Sequence, residues 1–432
     1  MTLLWMNLMW QFLARALRLN LVYLLVSGLM AGCTELYSDP IKVGVLHAQT
    51  GVMAVSEKPV IDAILMGIEE INRTGGVLGR QLEAVVVDTQ SSDARAVILS
   101  KQLIEQDQVQ AVFGCWTSSC RKSVKPIFEH HNHLLFYPVQ YEGLESSENI
   151  IYLGAVPNQQ IMPGTLWFQR QFGPRFLLIA SDYVFPRVAN KLISNQLNAL
   201  SATVVGEFYY PLGHQDFSSI PNYIKANNIT AIINTVNGSS NTQLFKVLTE
   251  QNVKTPILSF SLSEQEIKSL SISKHNNIYA AESYFQSITS NRNDEFKHKL
   301  VSKLGKRVII SAPMVAAYNG VHLWRNTIEK FKSFRPSRVR QYVLGEMVSG
   351  PSGDVRISMM NHHTWSPFYL AKLNTSNKFE IVEKIESAIR PLPFPSYGNK
   401  QYWYDYLQSL YLGWGKSWSK KSAAGKNRSV DK

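Results

Sequence analysis

Cysteine is scarce in this chain: Cys33, Cys115 and Cys120 are the only three in 432 residues. That is too few for a disulfide framework, and none stands in the paired Cys-x-x-Cys spacing of a zinc site. Phosphate-cradling loops are missing as well, since no Gly-x-Gly-x-x-Gly and no P-loop occurs, so nucleotide binding has no support. Solenoid periods, heptads and low-complexity blocks are absent before the tail. Charged residues make up only 18% against 45% hydrophobic, a balance that excludes disorder and collagen and allows a sizeable core. The length allows two or three domains, and two large lobes is the simplest division. A formal net charge of +12 raises nucleic acid or anionic lipid as partners, yet more than half of the excess lies in the N-terminal segment and in the stretch from Tyr397 to Lys432. The body is mildly basic, and no nucleic-acid partner is expected.

Residues 1–32 contain no acid, carry Arg15 and Arg18, and continue into an apolar run from Leu19 to Met30. The run is well short of the roughly 20 residues a spanning helix needs, which is the layout of a cleaved signal peptide. It closes on Met30-Ala31-Gly32-Cys33, which resembles a bacterial lipobox. That resemblance implies lipid attachment at Cys33 and an extracytoplasmic, membrane-anchored lipoprotein.

From Ile41 onward the pattern alternates. Apolar, β-branched runs at 41–46, 82–87, 111–113 and 134–136 read as buried strands, and 60–72, 94–106 and 120–130 read as helices between them. The same grammar restarts beyond Pro157, with strands at 176–180, 203–209, 231–234 and 257–260 and helices at 188–198, 218–226 and 242–251. The expected fold class is α/β: two doubly wound parallel-sheet lobes. A long helix over 313–331 and a hairpin joining 368–373 to 379–385 complete the expected elements.

Ligands of open α/β sheets bind beyond the carboxyl ends of the strands. The segments there are Gly114-Cys115-Trp116-Thr117-Ser118 ahead of Arg121-Lys122, Tyr137-Pro138-Val139-Gln140-Tyr141-Glu142-Gly143, Ser181-Asp182-Tyr183 and Asn234-Thr235-Val236-Asn237-Gly238. Read with Gly75-Gly76-Val77-Leu78-Gly79-Arg80, Pro157-Asn158-Gln159-Gln160 and Tyr284-Phe285-Gln286-Ser287-Ile288, they resemble the type I periplasmic binding proteins, and within them the urea and short-chain amide branch. The resemblance implies two lobes joined by a three-crossover hinge: lobe one over 33–157 and 286–333, lobe two over 158–285 and 334–395, and a basic, aromatic extension over 396–432. It further implies a non-enzymatic receptor that delivers urea or a small amide to the permease subunits of an ABC transporter, without cofactor or metal. The alternative is the ligand-sensing component of an amide-responsive signalling system.

A pocket for a neutral, planar, donor-rich solute needs in-plane acceptors, a donor for the carbonyl, and flat walls. Ser118, at the start of a helix, offers a hydroxyl and free backbone N–H groups. Gln140 and Tyr141 offer acceptors, Trp116, Tyr137 and Tyr183 offer walls, and Glu142 and Asp182 either accept from ligand amides or hold neighbouring loops. Asn237, Ser261 and Tyr284 are the expected contributions of lobe two and the hinge. His130, His131 and His133 cluster at a helix terminus, where the dipole favours them without a metal. For the tail, Trp403, Leu407, Leu410 and Trp414 share one helical face, whose leading expected role is docking on lobe two, ahead of contact with an anionic membrane or a partner surface.

Overall fold

The computed structural model describes residues 9–10, 39–268, 277–305, 308–395 and 397–420. Residues 1–40 and 41–432 are separate compact units, and the architecture here is that of the second. Cys33, the expected lipid site, lies outside the described residues. Among the described residues no helix is long and apolar enough to cross a membrane.

The first half runs β1 (Ile41–His47), α1 (Ala54–Arg73), β2 (Leu82–Asp88), α2 (Asp93–Glu105), β3 (Val112–Gly114), α3 (Ser118–His130), β4 (Leu135–Tyr137) and β5 (Ile150–Tyr152). Its strands pair in parallel in the order β2-β1-β3-β4-β5. Because β3, β4 and β5 are buried on both faces, they read as unbroken apolar runs without alternation. A helix start and one whole strand depart from the sequence reading. Helix α1 begins ahead of Val60 and runs through Pro59. The proline forfeits one ladder bond without ending the helix, because Ser56 and Glu57 ahead of it are buried and bonded to other elements. Strand β5 goes unpredicted because no helix separates it from β4, so the alternation that marks the other strands fails there.

The second half follows a 3-10 turn at Pro157–Gln159 with α4 (Ile161–Phe172), β6 (Arg175–Ser181), α5 (Val184–Ala199), β7 (Thr203–Tyr210), α6 (Ile220–Ala226), β8 (Ala231–Thr235), α7 (Ser239–Glu250), β9 (Ile257–Ser259), α8 (Glu264–Ile267) and β10 (Ile278–Glu282). Then come α9 (Asn291–Leu304), α10 (Ala312–Phe331), α11 (Pro336–Tyr342), β11 (Met347–Gly350), β12 (Gly353–Ile357), the hairpin β13 (Thr364–Leu373) and β14 (Phe379–Ile389), and α12 (Lys400–Gly413). Strands β7-β6-β8-β9-β10 are parallel, and β13 adds antiparallel to β10.

One core lies on the first sheet under α1, α2, α3 and α10, while two flank the second sheet. The chain leaves the first core after Val156, returns to it at Tyr284, and leaves again after Ile357. Val339, Val343 and Ile357 therefore pack with the first lobe although they follow residue 333. Helix α12, capped by the Asn399 side chain accepting from the Tyr402 N–H at 2.9 Å, packs Trp403 and Leu407 into a core of lobe two.

Candidate functional site

The loop leaving β3 is held in an unusual conformation. Cys115 sits at φ 59°, a left-handed value for a non-glycine residue, and a disulfide ties it to Cys120 in the first turn of α3. Thr117 caps that helix by accepting from the Cys120 N–H at 3.0 Å. The Ser118 hydroxyl is thereby free to donate to Glu142 Oε2.

Behind this loop lies a sealed polar cluster. Arg121, with no exposed surface, donates from Nη2 to Glu142 Oε1 at 2.9 Å, from Nε to Glu145 Oε1 at 3.0 Å and from Nη1 to Ser118 Oγ at 3.0 Å. Its guanidinium lies 4.2 Å from the Tyr141 ring centre and 4.8 Å from that of Tyr137. Lys122 Nζ donates to Glu145 Oε2 at 2.9 Å, so two cations face two carboxylates. Burial would raise the Glu145 pKa, but Lys122 and Arg121 outweigh it and hold the carboxyl well below its usual range. Tyr137 donates to the Trp116 carbonyl at 2.6 Å. Tyr141 lies 2.6 Å from His363 Nε2, and His363 stacks on Tyr152 with ring centres 4.1 Å apart. Burial pushes the His363 pKa down to about 3, so the ring is neutral at pH 7 and accepts from the tyrosine.

On lobe two, Asp182 pairs with Arg187 at 2.8 Å, and the Asn237 N–H donates to Ser181 Oγ at 3.0 Å. Tyr183 is buried beside the tail. Beyond α12 the chain turns back across the cleft. The Val184 N–H donates to the Trp418 carbonyl and the Lys420 N–H to the Asp182 carbonyl, each at 3.0 Å. From that anchorage on lobe two, Trp418 reaches Lys122 of lobe one, whose Nζ is 5.0 Å from the indole centre, and Ser419 lies beside Asp93.

The lobes close on a small cavity, in which the centre of a water molecule has about 20 Å³ to move. Side-chain bonds cross the cleft beside it: Gln140 Nε2 donates to the Phe260 carbonyl at 2.8 Å and to Ser261 Oγ at 3.2 Å, and Ser56 Oγ donates to Glu266 Oε1 at 2.8 Å. Trp116, Tyr284 and Phe285 form apolar walls. Gln140, Ser261 and the carboxylates of Glu264, Glu266 and Glu282 supply the polar lining.

Of the residues predicted from sequence, Trp116, Gln140, Ser261 and Tyr284 line this cavity. Ser118, Tyr137, Tyr141 and Glu142 belong to the sealed cluster behind it, while Asp182, Tyr183 and Asn237 stand at the lobe-two edge near the tail. The three glutamates and Phe285 were missed. Glu282 had a usable signal, an acid closing the apolar strand Ile278–Glu282, and Glu264 and Glu266 follow the strand β9. Among the described residues no group of histidine, cysteine and acidic side chains is placed to hold a metal.

A family model described as a periplasmic binding protein domain matches residues 41–400. The chain is 33% identical over 101 residues to the leucine-, isoleucine-, valine-, threonine- and alanine-binding protein of Pseudomonas aeruginosa, which covers 23% of this chain and 27% of that protein. It is 25% identical over 138 residues to a protein named limonene hydroxylase from Geobacillus stearothermophilus, covering 31% of this chain and 25% of the other. The matches thus span about a quarter of the length of these two relatives. In structure it is similar to a solute-binding protein of an ABC transporter from Rhodopseudomonas palustris HaA2 in complex with p-hydroxybenzoic acid. The TM-score is 0.74 at 22% identity, over 81% of this chain and 98% of that one.

Proposed function

The chain belongs to the periplasmic binding protein family, and we propose that it is an extracytoplasmic receptor that captures urea or a short-chain amide between its lobes and delivers it to the permease of an ABC transporter. Capture, closure and docking make up its action, and no bond is made or broken. The cavity carries this reading: it is small, is walled by aromatic rings, and is lined by acceptors that suit a planar solute rich in N–H groups. The amino acids and the p-hydroxybenzoic acid of the relatives are larger and bring a carboxylate, for which this lining offers no cation. We assign Trp116, Gln140, Ser261 and Tyr284 to ligand contact in the closed form. Ser118, Tyr137, Tyr141 and Glu142 hold the wall from behind, and Asp182, Tyr183 and Asn237 shape the lobe-two edge. Cys33 would carry the lipid anchor.

Calorimetry and thermal melting with urea, acetamide, formamide and leucine test the proposal. A ligand at a hundredfold excess over its Kd that binds the folded state alone adds about 2.7 kcal/mol. Unchanged melting with all four would remove the assignment, and a larger shift with leucine would transfer it to amino acids.

A further inference from the structure

The cavity is unbalanced in charge. Glu264, Glu266 and Glu282 all line it, and among the described residues none of them is in an ion pair. Two are committed to the protein. Glu266 accepts from Ser56 at 2.8 Å and from the Ser263 N–H at 3.0 Å, while Glu264 Oε1 accepts from the Phe379 N–H at 3.1 Å and from Gln286 at 3.3 Å.

Glu282 is different. It is only 7% exposed, yet its single bond among the described residues is a long one, 3.2 Å from Gln160 Nε2 to Oε2. Its Oε1 has no partner among them, and the residue lines the cavity. Across the cleft Gln140, 6% exposed, spends its amide nitrogen on Phe260 and Ser261 and leaves its own oxygen unpartnered in the same way. Two acceptors more than nine-tenths buried, one from each lobe, thus border one small space. Burial, with Glu266 nearby, pushes the Glu282 pKa well above the ordinary carboxylate value, the response of an acid whose counter-charge is missing.

A buried carboxylate without a cation or a full set of donors is costly, and a ligand that supplies both removes the cost. Urea supplies donors but also a carbonyl that needs a donor in return. A guanidinium or amidinium ion has the same planar outline, replaces that carbonyl with further N–H groups, and carries the missing charge. Its edge pairs with a carboxylate in a bidentate fork, and its faces suit the rings of Trp116, Tyr284 and Phe285.

We infer that the cleft selects a small planar cation of the guanidinium or amidinium class over its neutral isosteres, with Glu282 as the counter-charge and Gln140 as the acceptor from the opposite lobe. This rests on reading the cleft as the site of a small N–H-rich solute. The test is calorimetry of the full chain with millimolar guanidinium chloride, acetamidinium chloride, urea and acetamide, at ionic strength matched with sodium chloride. Guanidinium or acetamidinium should bind at least tenfold more tightly than urea or acetamide. Glu282→Gln should reduce cation affinity at least tenfold and narrow the ratio of cation to urea affinity, its unliganded melting showing that it folds. Should that variant fail to fold, the wild-type ratio of cation to neutral affinity decides alone. Urea or acetamide binding as well as the cations would overturn the inference and leave the proposed function standing. A cation preference undiminished in Glu282→Gln would overturn the role of Glu282. Binding of leucine or p-hydroxybenzoate with none of the four solutes would overturn the site reading itself.

Discussion

Trp403 provides a direct measure of how firmly the tail is docked. It is 2% exposed in a core of lobe two. A buried tryptophan removes roughly 150–250 Å² from water, which at about 25 cal/mol per Å² amounts to roughly 4–6 kcal/mol. Its indole N–H has no partner among the described residues, which offsets roughly 1–3 kcal/mol. Trp403→Ala should therefore destabilise lobe two by about 3 kcal/mol, the lower end of the range for such truncations. The tail can also let go, so the point variant loses no more than a chain ending at Pro395 does. Calorimetric melting is the suitable assay, because urea and guanidinium are themselves ligand candidates. A loss of about 3 kcal/mol lowers the melting temperature by roughly 6–12 °C in a domain of 150–250 residues. If Trp403→Ala and the shortened chain both melt with the parent, the tail is not part of the folded body and the docking described here is wrong.

Arg121→Met leaves Glu142 and Glu145 buried with one cation fewer and should cost about 3–5 kcal/mol, measured by melting; Glu142→Gln in the same chain should recover part of the loss. His363 gives a pH signature: with a folded pKa of about 3 against about 6.5 unfolded, its contribution is fully present above pH 6.5 and is lost as the pH falls toward 3, because the unfolded chain takes the proton first. By pH 5 the loss is about 2 kcal/mol, and His363→Gln should flatten the acid limb of a melting profile; an unchanged limb would refute burial of a neutral ring. Cys33→Ala should abolish incorporation of labelled palmitate and leave solute affinity unchanged.

The alternation of buried strands and helices was legible because each short strand is apolar on both faces and each helix carries one apolar stripe. What escaped was β5, whose crossover has no helix to announce it, and the first turns of α1, which Pro59 concealed. At the site, strand ends led to Trp116, Gln140, Ser261 and Tyr284 because their backbone position follows from the sheet. Whether a side chain there faces the cavity or a sealed cluster is decided by pairing across the sequence. Glu142 turns to Arg121 and Ser118, a choice invisible in the segment Tyr137–Gly143 alone. Glu282 stayed hidden for the opposite reason, since its significance is a partner it does not have.

The crossing of the cleft by Trp418–Lys420 makes the protein readily convertible into an optical instrument. Cys115 and Cys120 are locked to each other, so with Cys33 replaced, Ser419→Cys would present the sole free thiol in the chain. A dye attached there would sit between Asp93 of one lobe and Tyr183 of the other, beside the Trp418 indole, a ring able to quench it. Separation of the lobes would change its surroundings at once, and its brightness would record, in real time and without a labelled solute, each occasion on which the cleft opens or shuts.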